Sequence, residues 1–273
     1  MLFSSRQFFF IFVFMSNTNP IGLFDSGIGG TSIWKEVHSL LPNENTIYLA
    51  DSKNAPYGKK TKEEIINLCF KNVDFLLQKK CKLIIVACNT ATTNAIKEMR
   101  SKYDIPFIGI EPAIKPAATL SETKTIGILA TKGTLNSELF NRQLENYTNI
   151  RIMEQVGHGL VELIEDGKIQ SKEMKKLLTS YLTPMIEAGI DYLVLGCSHY
   201  PYLIPEIKKI IPDSIKIIDS GLAVAKQTKS ILEQYQIINT QNKKSTTIFY
   251  SNSDARVLKS IIGFNTNVLE LDF

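Results

Sequence analysis

The chain has 273 residues, of which 44% are hydrophobic, 21% charged and 9% aromatic, the make-up of an ordinary soluble globular protein with one or two domains. Lysine and arginine total 31 against 27 acids, a net charge of +4, and the pI of 8.7 falls short of the balance of a dedicated nucleic-acid binder. Four cysteines (Cys69, Cys81, Cys88, Cys197) without a CxxC pair argue against a redox motif or metal ligation and read as free thiols in a reducing cytoplasm.

The chain opens with "MLFSSRQFFFIFVF", where Arg6 precedes an apolar run that resembles a short signal peptide. The run is far below the roughly 20 residues a membrane helix needs, and "MSNTNPIG" offers no small-x-small cleavage site. Residues 1–19 are therefore read as a leader, disordered or placed ahead of a true start at Met15, with an interaction segment or export as the alternatives.

From Pro20 onward, short β-branched runs alternate with stretches of helical period. The predicted strands are Ile21–Asp25, Thr46–Asp51, Leu83–Cys88, Phe107–Ile110, Thr125–Ala130, Ile150–Gln155, Tyr192–Cys197, Ile215–Asp219, Thr246–Tyr250 and Asn267–Leu271. Between Thr61 and Gln78, Ile65, Cys69, Val73 and Leu76 form one helical face, with Thr61 and Glu64 as a capping box. Between Ser171 and Gly189, Met174, Leu177, Leu178, Tyr181, Leu182 and Met185 do the same. Strand then helix, repeated, predicts an α/β protein with parallel sheets covered on both faces.

The chain also resembles itself. "IGLFDSG" at Ile21 matches "IGILATKG" at Ile126, and "LIIVACNT" matches "YLVLGCSH". The interval from Asp25 to Cys88 is 63 residues and that from Ala130 to Cys197 is 67, which predicts two α/β units of one design. "EPAIKPA" (Glu111 to Ala117), with two prolines, reads as the crossing between them.

In parallel α/β sheets ligands bind beyond the carboxyl ends of the strands. Asp25, Cys88 and Cys197 each end a predicted strand, so two facing sheets would bring two thiols to one cleft. The loop "DSGIGGTS" is neither GxGxxG nor a P-loop; it reads as a tight turn or as a cradle of N–H groups, with the Ser26 hydroxyl, for a small anion. Cys69 and Cys81 read as core packing. Cys88 and Cys197 differ, each being followed by polar residues: Asn89 and Thr90, Ser198 and His199. His199, two residues after Cys197, is a reasonable proton partner for it. No cluster has metal-ligand spacing.

Together "GLFDSGIGG", "YLADSKNAPYG", "VACNTAT", "EPAIKPA", "ATKGT" and "LGCSHYP" resemble the glutamate racemases of the aspartate/glutamate racemase family, over roughly Ile21 to Gly221. The resemblance implies two pseudo-symmetric parallel-sheet α/β domains facing each other across a cleft, the first from residues 20–112 plus 222–273 and the second from residues 113–221. It implies interconversion of L- and D-glutamate by a two-cysteine, two-base mechanism without pyridoxal phosphate, supplying D-glutamate for peptidoglycan in the cytoplasm. Cys88 and Cys197 would be the acid/base pair, assisted by Asp25 and His199, with Asp51 and Glu165 as more distant helpers. Substrate contacts would be Asp25, Ser26, Tyr57, Gly58, Asn89, Thr90, Ser198 and His199. No cofactor, metal, nucleic acid or membrane is implied; a peptidoglycan precursor as regulator and a homodimer are left open.

Two departures bear on these roles. Ser198 stands where the family usually has threonine, which keeps the hydroxyl. "VGHGLVELIEDG" lacks the Cys-Pro and Val-Pro-Leu pattern of many members, although Glu165 matches the acidic position. The competing readings are a sister racemase for aspartate, whose members usually carry an acid at the His199 position, and a small-anion binding protein, which would not need two thiols. A redox protein would need neighbouring cysteines.

Overall fold

The computed structural model describes residues 17–241, 243–263 and 266–273, so the leader reading falls, except for residues 17–19, outside the described residues. The strands are β1 (Ile21–Asp25), β2 (Thr46–Ala50), β3 (Leu83–Val86), β4 (Phe107–Gly109), β5 (Thr125–Ala130), β6 (Arg151–Val156), β7 (Tyr192–Gly196), β8 (Lys216–Ile218), β9 (Thr247–Ser251) and β10 (Val268–Glu270). The helices are α1 (Thr31–Leu40), α2 (Lys62–Gln78), α3 (Asn89–Lys102), α4 (Ile114–Leu120), α5 (Lys132–Leu135), α6 (Glu138–Leu144), α7 (Leu160–Glu165), α8 (Lys172–Glu187), α9 (Ile204–Ile207), α10 (Gly221–Gln234) and α11 (Arg256–Ile262).

The strands pair in parallel into two sheets, ordered β10-β9-β2-β1-β3-β4 and β6-β5-β7-β8. Without β9 and β10, the first order is 2-1-3-4 and the second 6-5-7-8. The self-resemblance in the sequence is thus a shared topology, β1 answering to β5 and β3 to β7. In each unit the chain runs to one side of its first strand and then to the other, which opens a crevice at the carboxyl ends of β1 and β3, and of β5 and β7. β9 and β10 return from the end of the chain to extend the first sheet beyond β2.

Every residue of β1, β2, β3 and β5 is buried, as in strands covered by helices on both faces, and the polar residues among them stand at the strand ends. The predicted capping box closes α2: the Glu64 N–H donates to Thr61 Oγ1 at 3.3 Å and the Thr61 N–H to Glu64 Oε2 at 2.7 Å. Its face of Ile65, Cys69, Val73 and Leu76 is buried as the spacing predicted. On α8, Met174, Leu178, Leu182 and Met185 are buried, whereas Leu177 and Tyr181 pack at the margin. "EPAIKPA" joins the edge strand β4 to the second sheet and becomes helical at Ile114; Pro116 fits the first turn of α4, where no N–H is needed.

Several strands end earlier than predicted. β3 stops at Val86 and β7 at Gly196, because the chain leaves the sheet to start the next turn of helix before it reaches the cysteines. Among the described residues no helix is long and apolar enough to cross a membrane.

Candidate active site

The glycine loop after β1 lies under side chains from the other sheet. A Cβ on Gly27 would come within 1.9 Å of Glu165 Oε1, and one on Gly29 within 2.2 Å of His199 Nδ1. Close approach of Glu165 and His199, more than the turn itself, is therefore what demands glycine at these two positions. The loop does cradle a carboxylate, but from within the protein. The Ile28 N–H donates to Glu165 Oε1 at 2.7 Å, the Gly27 N–H donates to Asp25 Oδ1 at 2.9 Å, and the Gly29 N–H meets the His199 ring. Tyr48 fixes the loop from below, its hydroxyl donating to the Gly27 carbonyl at 2.8 Å.

Cys88 is the N-cap of α3. Its backbone is extended (φ −117°, ψ 120°), and its Sγ accepts the Ala91 N–H at 3.4 Å while its S–H points to Ser26 Oγ at 3.7 Å. A cap position is held by a residue still outside the helix, which is why the cysteine stands just beyond the strand. Burial, together with the charge of Asp25, pushes the Cys88 thiol up, against the pull of the Ala91 N–H and Ser26. Cys88 therefore favours its protonated form.

Cys197 follows β7 without a comparable cap, and its partner is His199, whose Nδ1 lies 3.8 Å from Sγ. The opposite ring nitrogen, Nε2, is 2.6 Å from Glu165 Oε1 and 3.9 Å from Asp25 Oδ1. A contact of 2.6 Å to a carboxylate requires a proton on Nε2, so the ring donates to Glu165 and the Gly29 N–H only abuts it. Burial alone would lower the His199 pKa; Asp25, Cys197 and Glu165 outweigh it and hold the imidazole well above its usual value. Asp25 is itself fully buried, and burial raises its carboxyl despite His199 and the Ser198 hydroxyl, which donates to Oδ2 at 2.8 Å. The serine in place of the usual threonine thus ties the second sheet to Asp25 in the first.

Both cysteines line one narrow cavity, together with Tyr57, Asn89, Thr131 and His199. Asn89 is buried with both amide atoms lacking a protein partner, so its donor and acceptor are available to a ligand. Among the described residues no group of three His, Cys, Asp or Glu side chains is set to hold a metal ion.

The sequence matches the model of the Asp/Glu/Hydantoin racemase family over residues 29–228. The chain belongs to that family. The glutamate racemase of Ectopseudomonas mendocina is 41% identical over 245 residues, 89% of this chain and 93% of its own. Glutamate racemase isoform RacE1 of Bacillus anthracis superposes with a TM-score of 0.85 at 28% identity, covering 94% of this chain and 98% of its own. Escherichia coli glutamate racemase, solved with L-glutamate and the activator UDP-MurNAc-ala, gives 0.81 at 31%, covering 92% and 97%. The protein is an amino-acid racemase with the two-sheet architecture of these relatives.

In this racemase Asp25, Ser26, Tyr57, Gly58, Cys88, Asn89, Thr90, Cys197, Ser198 and His199 gather at or beside the cavity. Glu165 bonds His199 directly. Asp51 does not touch the cavity; it accepts the Tyr57 hydroxyl and the Asn54 amide, and so sets the turn that carries Tyr57 and Gly58. Sequence reasoning missed Thr131, which caps α5, bonds Thr90 Oγ1 at 2.8 Å and lines the cavity. The signal was present, because Thr131 stands beyond β5 at the place that answers to Ser26 beyond β1.

Proposed function

We propose that the protein is a glutamate racemase that inverts Cα with Cys88 and Cys197 as opposed acid and base, without a cofactor. The observation that carries this reading is that two thiols, from equivalent strand ends of two sheets, line one cavity. Inverting Cα means taking a proton from one face and returning one to the other, and one base cannot reach both faces. In each direction one sulfur starts as thiolate and the other as thiol. The Cys88 thiol is the natural donor at rest, while on the other side the His199 ring stands 3.8 Å from the Cys197 sulfur. A substrate ammonium beside Asp25 would offset the share that the Asp25 charge adds to burial in holding Cys88 protonated, and so prepare it for the reverse direction. The free amide of Asn89 is suited to a carboxylate of the substrate, and the narrow cavity limits water around the carbanion.

The curated relatives being glutamate racemases supports glutamate over aspartate. Under the same reading residues 20–112 plus 222–273 and residues 113–221 are two domains that close on the substrate, and the product serves peptidoglycan synthesis. Four free cysteines fit action in a reducing cytoplasm. The activator named with the Escherichia coli enzyme supports a muropeptide precursor as regulator here. The deciding assay supplies L-glutamate and L-aspartate separately, in deuterated water and without added cofactor. Glutamate is expected to racemise and to gain deuterium at Cα; turnover of aspartate alone would overturn the substrate, and full activity of Cys88→Ala would overturn the mechanism.

A further inference from the structure

Glu165 uses its two oxygens differently. Oε1 takes the Ile28 N–H and faces His199, while Oε2 accepts the Ser52 hydroxyl at 3.0 Å. Behind this carboxylate lies a second and larger cavity, of about 650 Å³, bordered by Ser52, Asp166, Asp254 and Arg256. A carboxylate with open space behind it can turn away from its partner, and the Ser52 hydroxyl holds it on that side.

Ser52 is in turn held from the far end of the chain. It begins a short turn of 3-10 helix (Ser52–Asn54) after β2. Asn252, which follows β9, accepts the Lys53 N–H at 2.9 Å through Oδ1, donates Nδ2 to the Asp51 carboxylate, and donates its own N–H to the Ala50 carbonyl at 3.3 Å. One side chain from the returning strand thus grips the turn on both sides of Ser52.

We infer that Ser52, locked in place by Asn252, is a positioning residue that keeps Glu165 turned toward His199 and thereby governs proton transfer at Cys197 but not at Cys88. This rests on the two-thiol reading of the site. The equilibrium constant of a racemisation is unity, so kcat/KM must fall equally in both directions for any variant. The isotope effect has no such constraint. Where Cys197 removes the Cα proton, a weakened Cys197 makes removal more rate-limiting, and the primary isotope effect grows. In the opposite direction Cys197 returns the proton; the carbanion then partitions back toward substrate, and the isotope effect of the first removal shrinks.

The experiment measures kcat, KM and the isotope effect on kcat/KM with Cα-deuterated L- and D-glutamate for wild type, Ser52→Ala, Ser52→Thr, Asn252→Ala and Cys197→Ala. Ser52→Ala is expected to lower kcat about 10-fold, the worth of one hydrogen bond to a charged group, with KM changed about twofold at most. The isotope effects should move in opposite senses in the two directions, Ser52→Thr should recover most of the loss, and Asn252→Ala should show the same pattern more weakly. Isotope effects that stay put, or that move together, while kcat falls would mean only a loss of active protein and would overturn the inference, as would an unchanged kcat. Full activity of Cys197→Ala would instead overturn the two-thiol reading beneath it.

Discussion

Cys88 and Cys197 lie just beyond equivalent strands of two sheets that share a four-strand order, yet the groups around them differ throughout. Cys88 is served by its own unit: the first turn of α3 supplies the Ala91 N–H, and Ser26 comes from the adjoining strand of the same sheet. Cys197 is served by His199 two residues on, and that ring is held by Glu165 from its own unit and lies beside Asp25 from the other. A repeated topology can place two like groups face to face, but it does not make them chemically alike. The substrate is chiral, so its two faces never meet the same surroundings, and each sulfur is free to be adjusted by different means.

The strongest test of this comparison removes each sulfur in turn. Cys88→Ala and Cys197→Ala are each expected to lower kcat by about 10³-fold or more in both directions, with the double variant little worse than either, because the two act as a unit. A double variant with multiplied losses would break that unit.

The next test addresses the cation on the Cys197 side. His199→Gln is expected to reduce kcat by about 10²-fold while substrate still binds. The same variant tests the raised pKa through stability. A native pKa above that of the unfolded chain contributes stability fully below about pH 6.5 and loses it as the pH climbs through the native value. Urea unfolding of wild type and His199→Gln across this window should show their difference shrinking as pH rises; a difference that grows would mean the ring is neutral in the native state.

Gly29→Ala sharpens the comparison at the loop. Its new methyl would lie 2.2 Å from the buried imidazole, so the ring must shift, at a cost of about 1–3 kcal/mol. Displacement of this order is expected to lower kcat about 10- to 100-fold, read from initial rates. The smallest effect is expected at Cys69, a buried thiol on α2 that ends no strand. Cys69→Ala should cost about 1 kcal/mol by denaturant unfolding and change kcat about twofold at most.

The alternation of β-branched runs with helical faces carried the strand order of events in the chain, and the two cysteine motifs were visible because polar residues follow an apolar run at each. What could not be read were contacts made across the fold. The Ile28 N–H meets a carboxylate 137 positions away, and Asn252 grips a turn near residue 52. Neither contact has a period or a local motif, since an N–H or an amide side chain announces no partner. The strand ends were misjudged for a related reason: the apolar run continues through Val86, Ala87 and Cys88, but pairing stops at Val86, where the partner strand Phe107–Gly109 also runs out.

The return of β9 to the first sheet has a consequence for synthesis. Thr46 of β2 bonds Thr247 of β9, 201 positions later, so the outer edge of β2 has no native neighbour until nearly the whole chain has left the ribosome. At typical elongation rates that wait is about 10–40 s. Throughout it, "TIYLA" presents an apolar, uncharged strand edge, the kind of segment that pairs with other chains. A nascent copy is therefore most exposed to aggregation while its second sheet is already able to form.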